Sequence, residues 1–381
     1  MVESRERGWE RLLARWTEAG VLDAESAARI RAFELERAGP TRLRWPMLIA
    51  LAFGALTLGA GVLLFVSAHW DALSPQARFA VVVLLVAVFH VAGAATERRF
   101  PGMATALHAV GTVALGAGIF LAGQIFNLDE HWPGGLLLWA IGAALAWALL
   151  GSWPQTALTA ILVPAWLSSE WYVATTERWS SNGFRVIACG IFLLALAYFT
   201  ALNQDPDQDH VILRRTLAWL GGIWLLPAAL ALAFGTDAYR DAETLSIGLR
   251  AVGWMVALGL PLVVAIALRR AAAWPNALAT LWVVVLVNLR PVSGDASVYA
   301  WWAAGATALA IWGVSESRSE RINLGSAIFA ATVMTFYFSH VMDKLGRSAS
   351  LIGLGLLFLA GGSAIERLRR RLVHQARGGA S

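Results

Sequence analysis

The sequence predicts an all-α fold: a polytopic bundle of about twelve transmembrane helices with a short N-terminal cytosolic helical hairpin. Three observations carry this. Hydrophobic residues make up 58% of the chain and charged residues only 14%, whereas a soluble domain carries about 25% charged residues. Apolar runs long enough to cross a hydrocarbon core, about 17–25 residues, follow one another from Trp45 nearly to the C-terminus. The basic residues, all arginine except Lys344, stand largely in pairs at the ends of those runs. A net charge of +5 would otherwise suggest nucleic acid, but this placement follows the positive-inside rule instead, and no nucleic-acid partner is expected. The lone Cys189 lies in an apolar run, so neither an internal disulfide nor a Cys/His metal motif is available. No cleavable signal peptide is expected, because the first 45 residues are polar and the first apolar run is too long for one.

Residues 1–45 form the hairpin. Trp9, Leu12, Leu13 and Trp16 share one helical face, and Gly20 suits a C-terminal stop. Asp23 is placed to cap a second helix, which Gly39-Pro40 ends. Its arginines and acids nearly cancel. Two readings fit: a cap packed on the membrane domain, or a docking site for a protein partner. The apolar runs are 47–68, 78–95, 103–126, 133–150, 153–168, 184–202, 211–234, 247–268, 273–289, 298–314, 322–340 and 349–365. The fifth is the weakest, being short and holding Pro164. Counting basic residues on the two sides gives 22 against 8 when all twelve runs span, and both termini then face the cytoplasm. Without the fifth run the split falls to 18 against 12. Many tryptophans, among them Trp45, Trp70, Trp132 and Trp274, lie near run ends, where the headgroup layer suits an amphipathic ring.

Two of the runs carry a related glycine pattern, "GALTLGAG" from Gly54 to Gly61 and "GTVALGAG" from Gly111 to Gly118. Glycines seven apart share one face and let helices approach closely. A fainter repeat lays the first hairpin over the last, Gly54 on Gly325 and His69 on His340.

The stretches "WERLLARWTEAGVLDAESAARI", "GAGVLLFVSAHWDALSPQARF", "GIFLAGQIFNL" and "HWPGGLLLWAIGA" resemble a bacterial family of predicted membrane proteins, domain of unknown function 2157, over residues 9–150. The tail "TFYFSHVMDKLGRSASLIGLGLLFLAGG" resembles the end of a companion family, domain of unknown function 4401. There Phe336-Tyr337 and Arg347-Ser348 stand where that family tends to have paired tyrosines and a basic-Ser step, the first tyrosine being replaced. The resemblance implies a bacterial integral membrane protein and brings no activity, cofactor or catalytic residue. The expected domains are therefore 1–45, the hairpin; 46–150, a membrane core of four spans; and 151–381, about eight further spans with a basic tail.

Polar residues gather at the outer ends of three spans. His69 and Asp71 end the first; Gln124, Asn127, Asp129, Glu130 and His131 end the third; His340 and Asp343 end the eleventh. Imidazole and carboxylate together can bind a divalent metal or exchange a proton; equally, polar residues solvate helix ends. His69 and His131 are expected to approach each other. A second candidate is intramembrane: His90 and His108 both fall roughly 8–9 Å from the cytoplasmic boundary, at 1.5 Å rise per residue, on neighbouring spans. Such groups are functional candidates by default. No Asp or Glu lies well inside any run, which weakens an ion-coupled carrier. Phosphate-loop, zinc-protease and nucleophile-elbow motifs are missing from the sequence. The chain therefore reads as a bacterial inner-membrane protein without catalytic residues or cofactor, an envelope component that binds a ligand, lipid or partner. A transporter is the alternative, and a membrane enzyme or metal or pH sensor using the outer His/Asp cluster is the third reading.

Overall fold

The computed structural model describes residues 13, 15–37, 53, 54, 57, 61, 74–125, 131–175, 181–202, 211–234, 245–289, 296–341 and 355. Among these residues there is no β-strand. The chain divides into two compact units, Met1–Phe126 and Asn127–Ser381.

In the first unit, a helical segment over 15–18 stops at Gly20, whose φ of +70° lies in the left-handed region that glycine adopts without penalty. The Asp23 carboxylate accepts the Ser26 backbone N–H at 2.6 Å, filling a donor that helix N-termini leave open. Helix α1, Ala24–Arg37, follows. Helix α2, Pro75–Thr96, starts on Ser74, whose hydroxyl accepts the Ala77 N–H, with Pro75 pre-setting the first turn. A short turn, 97–100, leads into α3, Pro101–Ile125, and the two helices pack as an antiparallel pair.

The glycine face on α3 is a packing surface: a Cβ on Gly118 would collide with Val82 of α2. On the first run, a Cβ on Gly54 or Gly61 would meet no described atom within 4 Å. Most of that run lies outside the described residues.

The second unit holds α4 (Pro133–Leu150), α5 (Trp153–Thr175), α6 (Ser181–Phe199), α7 (Val211–Phe234) and α8 (Ile247–Arg269). A 3-10 turn, Arg270–Ala273, leads to α9 (Trp274–Asn288); α10 (Ser297–Ser315) and α11 (Ser319–Phe336) follow, the last running into a π turn, Tyr337–Val341. Gly151, with φ of +59°, reverses the chain between α4 and α5. The fifth run is one continuous helix of 23 residues with Pro164 inside it. Pro227 and Pro261 likewise sit inside α7 and α8. Each removes one backbone hydrogen bond, which neighbouring helices in a bundle can absorb. The core gathers Phe192 and Leu196 of α6, Leu225 of α7, Val283 of α9, and Trp302 and Leu309 of α10. Here α6 and α7 approach so closely that a Cβ on Gly221 would strike the backbone of Ala195 and Phe199.

Six segments among the described residues are long and apolar enough to cross a membrane: Pro75–Thr96, Pro101–Gly123, Pro133–Leu150, Val211–Ala233, Ile247–Asn288 and Ser319–Ser339. Their outward faces carry large exposed apolar side chains, such as Leu84, Leu149, Trp219 and Val263. In water such faces would drive aggregation; in lipid they are matched to their surroundings.

Candidate functional site

The two intramembrane histidines come together. His90 on α2 and His108 on α3 place their Nδ1 atoms 3.0 Å apart, with ring centroids at 5.3 Å. The reason is a motif that occurs twice: His-x-x-Gly, as His90/Gly93 and as His108/Gly111. In an antiparallel pair these put each imidazole over the other helix's glycine. A Cβ on Gly93 would lie 2.8 Å from the His108 ring, and one on Gly111 would lie 3.0 Å from the His90 ring. The rings therefore occupy room that only glycine leaves. His108 is buried and His90 partly so. An Nδ1-to-Nδ1 hydrogen bond requires one ring to donate from a protonated Nδ1 and the other to accept at a bare one, so the neutral pair holds two different tautomers.

The outer candidates fare differently. His131 bonds through Nε2 to Glu170 of α5 at 2.6 Å, and Glu170 also accepts the Trp166 indole N–H at 2.8 Å. His131 is thus tied to a carboxylate on a different helix from the one its sequence neighbours suggested. The antiparallel α4–α5 pair explains it, since the start of one helix adjoins the end of the other. Gln124 lies in α3 and His340 in the π turn. His69, Asp71, Asn127, Asp129, Glu130 and Asp343 lie outside the described residues. Among the described residues no three His, Cys, Asp or Glu side chains gather closely enough to hold a metal ion.

Two arginines whose sequence positions mark only charge at helix ends are buried around a partly exposed glutamate. Arg269 closes α8, Glu316 sits in the turn between α10 and α11, and Arg321 lies in the first turn of α11. Arg269 and Arg321 are 2% and 1% exposed. Glu316 accepts from Arg269 Nη2 and from the Trp312 indole N–H through Oε1, and from Arg321 Nη1 at 2.7 Å through Oε2. Both guanidiniums also donate to the Thr200 carbonyl at the end of α6, and both lie about 5 Å from the Trp312 ring centroid, within cation–π range. Burial alone would raise the Glu316 carboxyl; hydrogen bonds from Arg269, Trp312 and Arg321 outweigh it and hold the group below the usual carboxylate range. Arg270 and Ser317, each next to a member of the cluster, adopt left-handed φ angles of 52° and 54°, strain that this convergence sustains.

Between α6, α7, α9, α10 and α11 lies a cleft of about 540 Å³, walled by Phe192, Leu225, Trp282, Trp302 and Trp312. Trp274, Leu278 and Ile311 of its lining are also exposed on the outer surface. Among the described residues, Ser315 is the only hydroxyl side chain in its lining. A second cleft, of about 320 Å³, lies among α5, α6 and α8, with Glu170 in its lining.

Residues 14–156 match the family described as predicted membrane protein (DUF2157). No curated protein matches the chain, and no solved structure does. With that match and six helices fit to span, the chain is a membrane protein.

Proposed function

We propose that this is a bacterial inner-membrane component without catalytic chemistry, crossing the bilayer twelve times with both termini in the cytoplasm, whose second unit holds a lipid acyl chain. The observation that carries the ligand reading is the cleft whose lining includes Trp274, Leu278 and Ile311. Its volume of about 540 Å³ falls within the roughly 300–1,000 Å³ usual for small-molecule sites. Its walls are almost wholly apolar, which suits a hydrocarbon and not a polar solute. Three residues of its lining, Trp274, Leu278 and Ile311, are exposed on the surface that would face lipid, so the occupant at hand is an acyl chain of the bilayer. Apolar walls also argue against the carrier reading, which needs a polar path. The N-terminal hairpin belongs to this proposal as a cytosolic cap, and the C-terminal stretch keeps its likeness to domain of unknown function 4401.

Two experiments test it. Ala308 lines the cleft, and Ala308→Phe would fill part of it. Native mass spectrometry of the detergent-purified protein is expected to show one retained lipid, lost in the variant. Equal retention by both proteins, or by neither, would remove the lipid reading. For the topology, an alkaline phosphatase fused after Ser381 is expected to be inactive, since it requires the oxidising periplasm to fold; strong activity would contradict the twelve-span arrangement.

A further inference from the structure

We propose that His90 and His108 form an intramembrane site for one proton, shared across the α2–α3 pair. The placement is independent of the lipid cleft, which belongs to the other unit. Three features on different atoms point to it. The Nδ1 atoms face each other at 3.0 Å, the separation of a direct N–H···N bond. Each ring sits on a glycine of the opposite helix, Gly93 under His108 and Gly111 under His90, so the approach is built symmetrically from both sides. The motif that builds it, His-x-x-Gly, appears once in each helix.

The proton balance follows from the geometry. In the neutral pair one ring carries its hydrogen on Nδ1 and the other on Nε2. An added proton binds the Nε2 of the donor ring, the nitrogen that carries no hydrogen, and makes that ring an imidazolium. Its Nδ1–H still points at the bare Nδ1 of the partner, and that bond becomes charge-assisted and shorter. The added charge then spreads over both rings. A second proton has only the accepting Nδ1 to bind, which would set two N–H groups and two positive charges face to face at 3.0 Å. The pair therefore accepts one proton and refuses the second, as closely coupled sites do. A proton is also the ligand that fits without movement. Nitrogens sharing a zinc at about 2.0–2.1 Å from each must stand further apart than these.

On α2, α3 and the turn between them the remaining charged groups are Arg78, Glu97, Arg98 and Arg99. Arg78 is twelve residues from His90, about 18 Å along a helix at 1.5 Å per residue. Glu97, Arg98 and Arg99 sit seven to nine residues away, at the end of α2 nearest the pair. The first apolar run, 47–68, contributes no titratable side chain. The turn is the nearer end of the helix pair, and it is cytoplasmic in the proposed topology. Occupancy tightens the α2–α3 contact, so the site couples acidity on that side to the rigidity of this helix pair.

The test is a titration of the full-length protein in lipid nanodiscs, labelled with ¹⁵N-histidine, followed through ring nitrogen shifts from about pH 9 to about pH 4.5, on both sides of the ordinary histidine value of about 6.5. His90→Gln and His108→Gln serve only to assign the signals. The neutral form should show one Nδ1–H and one Nε2–H tautomer, and the two rings together should gain one proton. Gain of two protons would show independent histidines, and gain of none would show a structural staple; either result overturns the proposal. If the glutamine variants do not fold, an Nδ1-to-Nδ1 scalar coupling in the unaltered protein identifies the pair, and its disappearance between neutral and acidic pH would count against a shared proton.

Discussion

Replacing Glu316 with alanine is expected to cost about 3–5 kcal/mol, the range for breaking a buried ion pair from one side. The loss arises because Arg269 and Arg321 remain. Both are almost wholly buried, both lose their carboxylate, and the carbonyls of Thr200, Leu202 and Ala272 cannot neutralise two guanidiniums. Glu316→Gln should cost less, because its amide oxygen still accepts one hydrogen bond. Thermal unfolding followed by fluorescence-detected gel filtration checks the order: unaltered protein above glutamine, glutamine above alanine. A melt for Glu316→Ala within a degree or two of the parent would mean that the cluster is solvated and the burial argument is wrong. The cluster also sets an acid limit. Since the Glu316 carboxyl is held below its ordinary value of 4.5, its contribution is present above that pH and is lost as pH falls through the lowered value.

Gly221→Ala is expected to be the most damaging single methyl in the second unit. The added carbon would fall on the backbone nitrogen and Cα of Phe199 and near the Ala195 carbonyl, so the helices themselves must part. Overpacking typically costs about 1–3 kcal/mol, more when the neighbour cannot move, and backbone cannot rotate aside as a side chain can. Gly222→Ala is the control one residue on. Its methyl would meet the Phe199 ring at 3.5 Å, an ordinary contact, and removing a helical glycine contributes about 0.5–1 kcal/mol of stability. The two variants should therefore move the melting temperature in opposite directions. If both behave alike, α6 and α7 are not packed through Gly221.

Sequence patterns located most helices because lipid imposes length and apolarity on each span, and both are local properties. The α2–α3 pair was legible in the same way: a short turn between two runs makes neighbours, and neighbours carrying His90 and His108 at equal depth can meet. The glycines beneath the rings were also readable, as His-x-x-Gly repeated, but only once antiparallel packing is considered. Glu170 was not legible as a partner of His131. It lies near the end of the helix that contains Pro164, 39 residues from its partner, and only the α4–α5 return path joins them. The Arg269–Glu316–Arg321 cluster was hidden for a related reason. Arginine at a helix end has the same sequence signature whether it faces headgroups or, as here, turns inward to cap the carbonyls ending α6. Clefts are the least legible of all, since their walls come from five helices in one case and three in the other.

The central claim, that a bilayer acyl chain enters the cleft walled by Trp282, Trp302 and Trp312, is tested most directly by tryptophan quenching. The protein is reconstituted in phosphatidylcholine brominated along its acyl chains, and variants in which Trp282 or Trp302 is replaced by Phe report the share of emission from inside the cleft. The account predicts that these cleft tryptophans are quenched as strongly as exposed Trp219 and Trp274, and that Ala308→Phe protects them. Emission from Trp282 and Trp302 that is indifferent to bromine, while Trp219 and Trp274 are quenched, would contradict it.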